Sequence, residues 1–73
     1  MSNATIIEAI EPTHGKLVIA HMRALDLVDA VYRGSVQTEG SAARRENVAK
    51  AVEAAREVAA RLGYELVPAR GGN

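Results

Sequence analysis

The chain has no cysteine, no tryptophan and no phenylalanine, only two tyrosines and two prolines, and no net charge. Without cysteine there can be no disulfide and no thiolate metal cluster, a composition that fits a reducing compartment. Two histidines alone make a poor structural metal cage. Two tyrosines leave little for stacking nucleobases. The nine basic and nine acidic residues are interspersed along the chain, so no one-signed patch is available for nucleic acid or anionic lipid. No apolar run is long enough to span a bilayer, because Arg23, Asp26 and Asp29 interrupt the best candidate. Met1-Ser2-Asn3-Ala4 lacks the basic and apolar regions of a secretory signal. These absences point to a cytoplasmic protein with no membrane or nucleic-acid partner and no cofactor.

What is present is a repeated punctuation pattern. Thr13-His14-Gly15 precedes an amphipathic stretch that ends at Gly34, and Thr38-Glu39-Gly40 precedes a second one that ends at Gly63. Ser or Thr before a helix is an N-cap signal, and glycine just past one is a C-cap signal. The pattern predicts helices at about 16–33 and 41–62, with Ser41 placed to cap the second.

On a wheel of about 100° per residue, Lys16, Arg23, Asp26, Asp29 and Arg33 fall within an arc of about 140°. Leu17, Val18, Ala20, Ala24, Leu25, Leu27, Val28, Val31 and Tyr32 fill the opposite half, which only His21 interrupts. The second stretch is rich in alanine, with an apolar stripe of Val48, Ala51, Val52, Ala55, Val58, Ala59 and Leu62. Glu46 with Lys50 and Glu57 with Arg61 are spaced to support an exposed face.

The β-branched, roughly alternating residues 5–10 predict a strand that Pro12 ends. Ser35–Thr38 is short and compatible with a strand, and Tyr64–Val67 reads as another, ended by Pro68. The sum is a small two-layer α/β fold of order β-α-β-α-β. An α+β alternative, β-β-β-α-β, makes a hairpin of 5–24 that turns at Pro12–Gly15, with a third strand around 28–38. In either case residues 1–73 form one domain with flexible ends at 1–3 and 69–73.

A chain of this length buries only about 60% of the surface its unfolded form exposes, and oligomerisation is the remaining common route to stability. The apolar arc of the first helix is wider than the roughly 100° that one packed face needs. Leu17, His21, Leu25, Val28 and Tyr32 are therefore the candidate interface, with a homodimer as the expected assembly. The two turns form the other candidate site. Thr13, His14, Gly15 and Lys16, with Thr38, Gly40 and Ser41, would present backbone N–H groups to a small anion at helix N-termini. Neither turn has the spacing of a phosphate-binding loop.

Ile10-Glu11-Pro12-Thr13-His14-Gly15 and Arg33-Gly34-Ser35-Val36 are loosely similar to stretches of bacterial microcompartment shell domains. Membership would imply cyclic hexamers. The β-α-β-α-β topology lacks the strand pair which that family places between its first two helices, so the chain is not assigned to it. The function that fits these features is a small, non-enzymatic, self-associating interaction or regulatory protein, an adaptor or inhibitor that docks to a larger protein partner. The alternative is a small-anion or effector-binding module using the Thr-x-Gly turns.

Overall fold

The structure, a computed structural model, describes residues 11–70. Among them the chain forms two helices, α1 (His14–Ser35) and α2 (Ala42–Arg61), packed side by side as a hairpin. Each helix starts on a hydroxyl cap: Thr13 Oγ1 accepts from the Lys16 N–H at 3.2 Å, and Ser41 Oγ from the Arg44 N–H at 3.1 Å. Each cap satisfies one of the N–H groups that a helix start leaves without a partner.

The two closing glycines have different roles. Gly63 lies past the end of α2 with φ of 93°. The Tyr64 N–H reaches the Ala59 carbonyl and the Gly63 N–H the Ala60 carbonyl, which together form a Schellman stop. Gly34, read from sequence as an end signal, lies inside α1 and is buried, and the helix continues to Ser35. A Cβ built there would stand 3.7 Å from the Asn47 Cβ and 3.9 Å from a Val48 methyl. Gly34 is thus a point of close helix approach.

Neither predicted sheet topology is present: the described residues contain no strand, and the fold is all-α. Residues 17–24, extended in the β-β-β-α-β alternative, lie within α1. Ser35 completes the last turn of α1, and the six residues 36–41 serve as the turn into α2. A connection this short returns the chain directly alongside its predecessor. In that connection the Ser41 N–H donates to the Thr38 carbonyl at 3.0 Å, and Gly40 adopts φ of 82°. Tyr64–Val67 has β-forming side chains but no neighbouring strand among the described residues, and it runs exposed past the Schellman stop. The strand predicted at 5–10 lies outside the described residues, as do residues 1–3 and 71–73.

The core is a seam of small residues. The buried side chains are Ala20 and Ala30 of α1 with Ala51 and Ala54 of α2, joined by Gly34. Small residues let two helix backbones approach to the short end of the usual 8–10 Å separation. Polar groups close the turn end, where Asn47 Nδ2 donates to Gln37 Oε1 at 2.8 Å and Arg45 Nη1 to the Gly40 carbonyl at 2.7 Å.

The same substitution at the two glycines is expected to act with opposite sign. Gly34→Ala keeps a helical backbone and meets only ordinary contacts, so it raises stability by about 0.5–1 kcal/mol. Gly63→Ala forces a side chain into the left-handed region and lowers stability by about 1 kcal/mol. Urea unfolding midpoints of the two variants check both signs.

Candidate functional site

The hairpin has two unlike grooves, one on each side of the alanine seam. One, of about 390 Å³, is lined by Leu27, Val31 and Gly34 of α1 and by Val48, Val52 and Ala55 of α2, with Ser35 and Arg44 as its polar members. Its walls come from side chains four residues apart, Leu27 with Val31 and Val48 with Val52, which a helix sets one above the other. Most of the large aliphatic side chains stay outside the seam: Leu17, Val18, Leu25, Val31, Val48 and Val52 are all exposed.

The other groove, of about 900 Å³, is charged. Asp26, Asp29, Glu46, Glu53 and Glu57 line it together with Arg23, Arg33 and Lys50. Arg23 pairs with Asp26 at 3.1 Å and reaches Glu57 of the facing helix at 3.9 Å, and Arg33 pairs with Asp29 at 2.9 Å. These side chains are more than a third exposed, where such pairs contribute about 0–1 kcal/mol each. This groove is a solvated face in which α1 pairs its own charges and Arg23 also reaches across to α2.

The predicted interface residues keep their solvent exposure. Val28 is 66% exposed, Tyr32 64%, Leu25 57% and Leu17 43%, and His21 is also exposed. They lie on the arc of α1 that continues outward from the apolar groove, away from the charged side. The sequence reading missed the contribution of α2. The sequence places Val48, Ala51, Val52 and Ala55 on one alanine-rich stripe, open to the close approach of a neighbour. The structure divides it, sending Ala51 into the seam and Val48 and Val52 to the groove wall.

The predicted anion-binding residues do not come together. Thr13, His14, Gly15 and Lys16 stand at the start of α1, whereas Thr38, Gly40 and Ser41 stand beyond its far end. A 22-residue helix puts about 33 Å between them at 1.5 Å per residue. The Thr13 and Ser41 hydroxyls accept the capping N–H bonds, and Arg44 Nη1 donates to the Gln37 carbonyl at 3.3 Å. His14 and His21 are two helical turns apart and exposed. No three His, Cys, Asp or Glu side chains gather as a metal site among the described residues, and no helix there is long and apolar enough to cross a membrane.

Because the two caps stand at opposite ends, Thr13→Ala and Ser41→Ala should each cost about 1 kcal/mol, and the double variant should cost the sum to within about 0.5 kcal/mol. Denaturant unfolding of the three variants tests this. A larger coupling would contradict the separation of the two turns.

Comparison of the chain with protein-family models, with curated proteins and with solved structures found no match.

Proposed function

We propose that this chain is a non-enzymatic association protein whose working surface is the apolar groove together with the outer arc of α1. The observation that carries this reading is the sorting of side chains into two faces. Charges line one groove, while Leu27, Val31, Val48 and Val52 line the other. An exposed apolar surface bounded by polar residues is the usual mark of a protein-docking site. Four buried methyl-sized side chains hold the helices together, each contributing about 0.8 kcal/mol, against about 1.5–3 kcal/mol for every Leu or Val that a partner would bury. Among the described residues, most of the large apolar side chains are therefore available to a docked protein.

Replacing Val31 by Asp in the chain's natural host is expected to reproduce the phenotype of deleting the protein while its steady-state level stays unchanged. Lys50→Gln, in the charged groove, should behave as wild type. If the two variants behaved alike, the apolar groove would not be the working surface.

A further inference from the structure

We infer that the occupant of the apolar groove is a second copy of this chain, so that two hairpins stack face to face as a four-helix bundle with the charged grooves outward. This rests on the docking reading above and names its partner.

Three observations select a second copy. The first is exposure. Val31, Val48 and Val52, the walls of the groove, are all exposed, so no described residue covers them, in a chain of a size that commonly gains its stability by oligomerising.

The second is chemistry. Anchors in interfaces between separately folded proteins are enriched in Trp, Tyr and Arg. Apart from Ser35 and Arg44 as its polar members, this groove presents Gly, Leu, Val and Ala, close to the composition of a core cut in half, which is typical of obligate homodimers. The third is architecture and charge. Two helices side by side form one layer, and a domain needs at least two layers to enclose a core. An identical hairpin supplies the second layer with the same aliphatic surface. The formal net charge of zero means that bringing copies together sets no overall repulsion against the burial.

In such a bundle Leu27, Val31, Val48 and Val52 form the central layers, with Leu25 and Val28 at their edge. Leu25 is 57% exposed in the hairpin, so Leu25→Asp leaves the alanine seam intact and acts at the contact between copies. It is expected to weaken dimerisation at least tenfold, whereas Arg45→Ala changes it less than twofold.

The test is sedimentation equilibrium of the full chain at micromolar concentration, with isotope-filtered NOEs on a mixture of labelled and unlabelled protein. The expected result is twice the chain mass, a midpoint of thermal unfolding that rises with concentration, and intermolecular NOEs among the Leu27, Val31, Val48 and Val52 methyls. A monomer whose groove methyls lack NOEs to other segments and which binds a hydrophobic dye would overturn the second copy but leave the docking surface standing. A monomer whose groove methyls show NOEs to Ile6, Ile7 or Ile10 of its own chain would overturn both.

Discussion

The contact on which the rest of the structure depends is the seam of Ala20, Ala30, Gly34, Ala51 and Ala54. Side chains of one carbon or none let the two helices meet closely. They cannot enclose anything larger. Large aliphatic side chains therefore remain outside the contact, and Leu27, Val31, Val48 and Val52 give the flank opposite the charged groove its apolar character.

The ends of the helices fix the geometry that the seam exploits. Thr13 and Ser41 start the helices, the Gly40 turn reverses the chain within six residues, and Gly63 stops α2 with two satisfied carbonyls. The turn sets the register, so that Gly34 meets Asn47 and Val48, and Arg23 comes within reach of Glu57. With that register eight acidic and basic residues of the two helices line one groove, while Val31, Val48 and Val52 line the other. Under the proposed reading this sorting is the functional device: one face stays hydrated while the other is committed to a partner, and neither needs a reactive group.

Local signals and pairing signals had different fates. The helix positions were readable from Thr13, Ser41 and Gly63, because a cap is a contact between residues three to five apart in sequence. The strands predicted at Tyr64–Val67 and Ser35–Thr38 were not, because these segments carry β-forming side chains without a neighbouring strand, among the described residues, to accept their N–H and C=O groups. Gly34 misled for a related reason: glycine occurs both past helix ends and where two helices touch, as here beside Asn47 and Val48, and sequence spacing alone does not separate the two. The wide apolar arc of α1, with Leu25, Val28 and Tyr32 left outside the seam, was legible from periodicity, whereas the groove wall supplied by Val48 and Val52 was not.

The sequence by itself determined the second capped helix and its alanine-rich stripe, favoured a first capped helix over the hairpin of 5–24, and showed that this first helix carries more apolar surface than one neighbour covers. All of these follow from interactions within a few turns of one helix. Only the tertiary structure decided that the helices pair with each other instead of with a sheet, that the two polar turns lie at opposite ends, and that the valines of α2 join the leucines of α1 on one face. Those outcomes depend on the register between segments far apart in the chain, which is fixed when Gly34 and the alanines of both helices find each other.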